Sequence, residues 1–168
     1  MKAFEIKNTK EFMAKLLASE AFDDFLMLET KLTMATQYVL DGHLQKDFFD
    51  TDEWEEQKYA VIEWSKMRPT VFSLIKGTHT PVRFQISMQM KPDGVGAALQ
   101  KENADLDVAS VGNLITGFYL NIRFENGKVQ LVTAVDYKTF TMDKTAEQVY
   151  DRFIMTFLTG LGIDFDEI

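Results

Sequence analysis

The sequence predicts an α+β fold in which helices pack on one face of an antiparallel sheet. Three observations support this class: segments in which polar and apolar residues strictly alternate, an Asn-Gly turn signal between two of them, and helical apolar periodicity near both ends of the chain. Strict alternation is typical of a strand with one buried and one wet face, which is common in antiparallel sheets.

The first elements are a short strand near the N-terminus and a helix predicted over residues 9–19. Asn8 and Glu11 stand three residues apart, which is the spacing of a capping box at a helix start. Phe12 and Leu16 follow at helical spacing, and we expect both side chains to be buried.

Two further strands are predicted over residues 25–34 and 36–49. The second strand should end on the aromatic pair Phe48 and Phe49, and we expect one of these rings to point into the core.

The stretch HLQKDFFDTDEWEE, residues 43–56, contains six acids and one lysine. Acids in a first turn complement the unpaired N–H groups and the dipole of a helix, and Asp52 and Glu55 have capping-box spacing. A helix is therefore predicted from residue 52, with a kink at Pro69 and an end at Gly77. The stretch does not fit a calcium-binding loop, which needs glycine at its sixth position.

The second half begins with an alternating strand over residues 82–90 and a short helix over 95–101. Residues 103–113 are expected to form a loop. From Asp143 to Leu161, apolar residues recur at steps of three and four, which predicts a long amphipathic helix.

The clearest structural signal is a hairpin closed by Asn126 and Gly127, because a type I′ turn requires positive φ at both positions. Pairing outward from the turn sets Glu125 opposite Lys128 as a cross-strand charge pair, with strands over residues 117–141. The same register predicts three apolar pairs on the core face: Phe124 with Val129, Ile122 with Leu131, and Phe118 with Val135.

The length predicts one domain, residues 1–168, which can also be read as two related lobes, 1–80 and 81–168. Both halves have a similar order of predicted elements. The pattern Glu-Gln-x-Tyr occurs at residues 56–59 and again at 147–150, each time near the start of a predicted helix. An internal duplication is therefore one hypothesis for the architecture.

The net charge of −8 is unevenly distributed. Residues 57–91 carry six cations against Glu63 alone, whereas residues 41–56 carry seven acids against Lys46. Such a pattern is typical of a solvated surface, and it becomes an anion-binding patch if the cations cluster in space. No apolar run approaches the ~20 residues that span a bilayer, so we expect no membrane contact and a cytoplasmic location.

The absence of cysteine excludes a disulfide framework, a thiolate zinc site and a cysteine nucleophile. No phosphate-binding loop, dinucleotide fingerprint or serine-nucleophile elbow is present, and we expect no cofactor. Lys76 and His79 lie in the loop KGTHTP, where they could hold an anionic ligand. The competing interpretation is a simple turn closed by Gly77 and Pro81.

The polar face of the predicted sheet is the main candidate binding surface. It is expected to present side chains from two strands that become neighbours if the sheet forms as predicted, although a wet face without a ligand is the default reading. The candidate residues are Arg83, Gln85, Lys91, Tyr119, Asn121 and Arg123.

The segments DGHLQKDFFDTDE, LIKGTHTPVRF, LNIRFENG and FTMDKT together resemble a bacterial family catalogued only as a domain of unknown function. That resemblance implies no activity or site residue. The segment FENGKVQLVTAVDYKTF is similar in style to the hairpin of DNA sliding clamps, whose domains repeat a strand-helix-three-strand unit twice. The helices of such clamps that face DNA need net basic surfaces, and the helices here mix both signs of charge.

These observations favour a non-catalytic cytosolic protein that binds a protein partner or a second copy of itself. The alternative is a clamp-like accessory protein that binds nucleic acid, for which Tyr119 could stack on a base. A metal-dependent hydrolase is the third hypothesis.

Overall fold

A computed structural model describes all residues, 1–168, and shows one seven-stranded antiparallel sheet with six α-helices, so the predicted α+β class is confirmed. The strands are β1 (Ala3–Ile6), β2 (Phe25–Thr33), β3 (Gln37–Asp41), β4 (Arg83–Met90), β5 (Ile115–Glu125), β6 (Lys128–Tyr137) and β7 (Phe165–Glu167). The helices are α1 (Thr9–Ala18), α2 (Thr51–Glu55), α3 (Trp64–Ile75), α4 (Pro92–Glu102), α5 (Val108–Leu114) and α6 (Thr145–Gly160).

The strand order across the sheet is β3-β2-β4-β5-β6-β1-β7. Strands from both halves of the chain are thus mixed in one sheet, with β1 between β6 and β7. The first strand pairs with β6 of the second half, and β2 pairs with β4. The two halves thus share their hydrogen-bonded ladder, and an internal duplication stays a prediction.

One face of this sheet and the helices enclose a single apolar core. The alternation along β4 and β5 directs one residue in two toward the helices, as the sequence predicts for a half-buried strand. Trp64 at the start of α3 is fully buried, and its indole N–H donates to the carbonyl oxygen of Leu16 at 3.2 Å. The opposite face of the sheet carries no helix over β4 and β5, and polar side chains lie there.

The hairpin between β5 and β6 forms in the predicted register, with Glu125 opposite Lys128. Both turn residues have positive φ, 53° at Asn126 and 75° at Gly127, as a type I′ turn requires. The three predicted apolar pairs on the core face also form.

The predicted starts of the first and last helices are also found. Asn8 caps α1 by accepting the backbone N–H of Glu11 at 3.0 Å, and α6 buries a continuous apolar stripe. The loop predicted over residues 103–113 is wrong in its second half, because Asp107 caps the short helix α5 through the N–H of Ser110. Pairing of β7 with β1 has no sequence prediction behind it.

The region between β3 and α3 differs most from the sequence prediction. The strand predicted over 36–49 ends at residue 41, and residues 46–48 form a 3₁₀ turn that leaves Phe48 84% exposed. The single helix predicted from residue 52 is divided into α2 and α3. Its cap lies two residues earlier than predicted, since Asp50 and Glu53 form the capping box.

An extended segment, residues 60–63, explains this division. It inserts between β2 and the continuation of β3, where the N–H of Met27 donates to the carbonyl of Ile62 at 2.8 Å and the N–H of Ile62 donates to the carbonyl of Gly42 at 2.7 Å. Residues in a ladder cannot also be helical, so the chain pairs here and resumes as α3 at Trp64. No helix in the structure combines the length and apolar character needed to cross a bilayer.

Candidate functional site

The helix-free face of the sheet has its side chains in cross-strand rows. Sheet register places Gln85 of β4 between Lys31 of β2 and Arg123 of β5. Arg83 lies in the adjacent row, opposite Glu125. Because diagonal neighbours on one face have Cα atoms about 7–8 Å apart, Lys31, Arg83 and Arg123 surround Gln85 at close range.

We call this group, Lys31, Arg83, Gln85 and Arg123, the basic face. Arg83 and Arg123 are both exposed, and neither forms an ion pair or a side-chain hydrogen bond with any other residue. The one ion pair of Lys31 is with Glu29, at 3.6 Å. The side chains line a shallow hollow of about 320 Å³. Two guanidinium groups without carboxylate partners are therefore available to an anionic group from outside the chain.

Two other predicted residues lie further along the same face. Asn121 is opposite Ser87, and Tyr119 is opposite Gln89. A Cβ placed on Gly117 would lie 3.1 Å from the Tyr119 hydroxyl and 3.0 Å from the Gln89 amide nitrogen, so both side chains extend over this glycine. The ring of Tyr119 is thus half-buried against its own strand and does not stand free as a stacking platform.

Lys91 is the one predicted residue that the structure separates from the basic face. It lies just beyond β4, and its ammonium group is 2.9 Å from Glu63 and 5.9 Å from the centroid of the Tyr59 ring. Glu63 lies beside Lys91 because Glu63 pairs with Leu26, near the start of β2 and close to the start of α4. Lys91 therefore belongs to a different site.

This second site is a polar cleft of about 620 Å³ between residues 56–66 and the start of α4. Asp93 accepts hydrogen bonds from the Tyr59 hydroxyl at 2.6 Å and from the Lys58 ammonium at 3.0 Å. Glu63 pairs with Lys66 at 3.1 Å in addition to Lys91. Each lysine of the cleft already has a carboxylate partner, so the positive charges of the cleft are neutralised by its own side chains.

The polar cleft accounts for part of the basic middle of the sequence. Lys58, Lys66 and Lys91 converge there, whereas Arg68 pairs with Asp23 at 3.1 Å. Sequence reasoning identified the excess of cations in this region and missed their convergence, because it depends on the insertion of residues 60–63 beside β2.

Hydrogen bonds in the polar cleft shift the pKa values of its groups. The Tyr59 hydroxyl, followed by the Lys58 ammonium, lowers the pKa of Asp93 from 3.8 to about 2. The hydrogen bond to Asp93, followed by desolvation, raises the pKa of Tyr59. Hydrogen bonds from Lys91 and then Lys66 lower the pKa of Glu63. The ionised carboxylates are the forms that hold the cleft together.

This arrangement predicts how the cleft responds to acid. Because the folded pKa of Asp93 lies below the ordinary value of 3.8, its stabilising contribution is complete above about pH 4 and is lost as the pH falls toward 2. We expect the ¹³C resonance of the Asp93 carboxyl to titrate near pH 2, and nearer its ordinary value in a Tyr59→Phe variant. A wild-type midpoint at or above the ordinary value would contradict the assigned contacts.

Lys76 and His79, the predicted anion loop, lie beside a groove of about 570 Å³ formed with α1 and the end of α3. The structure brings these two residues to the same groove, whose other walls are largely apolar. The Lys76 ammonium lies 6.0 Å from the centroid of the Phe72 ring, and Gly77 has a φ of 152° in the turn. Lys10 on α1 also lines the groove and is the one further cation there beside Lys76 and His79.

Residues 46–56, which we call the acidic lobe, form a largely exposed segment of the protein. The lobe carries six carboxylates against Lys46, and none of these seven charges forms an ion pair. Phe49 contacts the rings of Phe48 and Trp54, with centroids 5.3 and 5.8 Å apart, and no residue of the lobe is buried. No group of three or more His, Asp or Glu side chains, here or elsewhere, is arranged to hold a metal ion.

Comparison with protein-family models gives one match, over residues 15–166. The matching model describes a family of unknown function, and similarity to sliding clamps is not found. No curated protein and no solved structure matches the chain. Because the match covers β2 to β6, α2 to α6 and the segments between them, the chain belongs to the family of unknown function DUF5721.

Proposed function

We propose that this protein is a non-catalytic binding protein that captures an acidic segment of a protein partner on its basic face. The observation that carries the proposal is the pair Arg83 and Arg123, two exposed guanidinium groups side by side on a helix-free sheet without any carboxylate partner. Other cations of the chain, such as Lys58, Arg68 and Lys91, are neutralised by nearby acids, whereas these two guanidinium groups lie together on one face without such a partner.

The surrounding geometry supports a planar anionic group as the ligand. Guanidinium groups form bidentate hydrogen bonds with carboxylates, and the Gln85 amide between them offers a further donor. Extended strands hold the backbone of these residues on both sides, so the donors are positioned by the sheet before a partner arrives. The polar cleft is a weaker candidate because a ligand there would have to displace Glu63 or Asp93 from the lysines.

Charge and shape favour an acidic protein segment over nucleic acid. Binding to nucleic acid depends on neutralising many phosphates, and the basic face offers three cations flanked by Glu29 and Glu125. Base stacking needs an exposed aromatic ring, and Tyr119 is folded over Gly117. A short acidic peptide needs only the two or three cations that the face provides.

A binding titration with a labelled polyglutamate peptide tests this proposal. We expect saturable binding whose affinity falls as salt is raised from about 50 to about 200 mM, because the contacts are between exposed charges. A single-stranded oligonucleotide of matched length and charge should bind more weakly. The absence of salt-sensitive peptide binding would overturn the proposal, and a clear preference for the oligonucleotide would replace it with the nucleic-acid alternative.

A further inference from the structure

We propose that the partner is a second copy of this chain, whose acidic lobe docks on the basic face to form a two-fold symmetric dimer. This inference rests on the proposed function and names the acidic segment that the basic face captures. It is carried by two oppositely charged surfaces of the same molecule, on which Arg83 and Arg123 and the carboxylates of the acidic lobe form no ion pair within the chain.

The acidic lobe carries negative charges that are not neutralised within the chain. Asp50 and Glu53 use their carboxylates in the capping box of α2, which leaves four carboxylates without any hydrogen bond or ion pair. These are Asp47, Asp52, Glu55 and Glu56. Arg83 and Arg123 of the basic face carry the opposite charge and are also unpaired, so the two surfaces are electrostatically complementary.

The lobe cannot reach the basic face of its own chain. Arg83 lies beside Thr33, at one end of β2, whereas the chain leaves the sheet toward the lobe beyond Asp41, which pairs with Glu29. From Gly42 onward the chain leaves β2 and pairs with residues 60–62, and Leu44 and Phe49 line the cleft beside Asp24, at the opposite end of β2 from Thr33. The span from Asp24 to Thr33 is about 30 Å at the rise of a β-strand. The contact must therefore be made between two molecules.

Both surfaces belong to the same side of the sheet. Leu26 shares its row with Gln89 on the helix-free face, yet it is only 2% exposed and lies outside the main core. Val61 is likewise buried outside that core, and Leu44 and Phe49 line the adjoining cleft. The helix-free face is thus covered at the lobe end and open at the Arg83 end.

This arrangement closes under two-fold symmetry. If two copies meet face to face with their strands antiparallel, the covered end of each lies over the open end of the other, and both contacts form at once. Such an isologous contact uses the same patch on both subunits and leaves no unpaired surface to extend an assembly.

Phe48 supplies an apolar contact at the centre of each lobe. Its ring is 84% exposed, pairs edge-on with the ring of Phe49 and is not part of the core. The hollow of about 320 Å³ on the basic face lies between Lys31, Arg83 and Arg123, and a guanidinium group over an aromatic face is a favourable contact. A ring inserted between the arginines would also exclude water from the charge pairs around it.

Two charge-reversal variants test the dimer. The first reverses the basic face (Arg83→Glu with Arg123→Glu), and the second reverses the lobe (Asp47→Lys, Asp52→Lys and Glu55→Lys), sparing the capping pair. Sedimentation analysis from micromolar to millimolar concentration should show a dimer for the wild type and a monomer for each variant alone. An equimolar mixture of the two variants should dimerise, because each lobe then meets a face of opposite charge. Circular dichroism of each variant checks that it remains folded.

The outcomes separate this inference from the proposed function. A wild type that stays monomeric, or a dimer that survives both reversals, overturns the inference. Failure of the mixture to associate, with both variants folded, also overturns it. If the wild type is monomeric and still binds polyglutamate with salt sensitivity, the proposed function stands with a different acidic partner. If the wild type neither self-associates nor binds polyglutamate, both proposals fail.

Discussion

Replacing Arg83 and Arg123 together by glutamate is expected to lower the affinity for polyglutamate by about 100-fold or more. Removing both guanidinium groups eliminates the two unpaired donors, and the introduced carboxylates repel the peptide beside Glu125. Like charges placed opposite each other cost several kcal/mol, and each tenfold loss of affinity corresponds to about 1.4 kcal/mol. Fluorescence anisotropy with the labelled peptide measures the change.

The control for this variant alters two cations on the helical side of the protein. Lys101 of α4 and Arg152 of α6 are exposed and form no ion pairs, so replacing both by glutamate changes the net charge equally. We expect the control to bind within about two-fold of the wild type at physiological salt, because charges beyond a Debye length are largely screened. Equal losses in the two variants would show that net charge governs binding.

A Gly42→Ala substitution is expected to destabilise the protein by about 3 kcal/mol, near the upper end of the usual cost of overpacking. A Cβ at this position would lie 1.7 Å from the carbonyl oxygen of Met27, which is backbone and cannot move aside as a side chain does. The same glycine donates its N–H to Leu28 at 2.8 Å and accepts from Ile62. Urea unfolding followed by circular dichroism measures the loss.

Gly112 provides the matched control for this substitution. No atom lies within 4 Å of the position that its Cβ would occupy, and it lies within α5. Gly112→Ala should leave the free energy of unfolding unchanged or raise it by up to about 1 kcal/mol, since alanine is the better helix former. If Gly42→Ala proved as stable as the control, the close approach of residues 42 and 27 would be wrong.

The sequence predicts those parts of the fold whose signals are local. Alternation predicts β4 and β5, the Asn126-Gly127 pair predicts the hairpin and its register, and Asn8 with Glu11 predicts the start of α1. Each signal arises from backbone conformation or burial within a few residues. The positions of Arg83, Gln85 and Arg123 follow from the same local signals once β4 and β5 are neighbours, whereas Lys31 joins them through the pairing of β2 with β4, which the sequence does not predict.

The region from residue 42 to 63 could not be predicted in this way. Its acids predict a helix start, and α2 does begin there, but this helix ends after five residues. Pairing of residues 60–63 with β2, which lies more than thirty positions earlier in the chain, takes precedence over local helical preference. The sequence groups Lys91 with the polar sheet face, whereas Lys91 lies in the polar cleft because that pairing positions its partner Glu63.

Mapping the bound peptide on the wild-type protein by amide NMR tests the central claim most directly. If an acidic segment binds to the basic face, addition of polyglutamate should shift resonances of residues 31–33, 83–87 and 121–125, together with the guanidinium signals of Arg83 and Arg123. Shifts confined to the polar cleft around residues 58–66 and 91–93, or to α4 and α6, would contradict the claim.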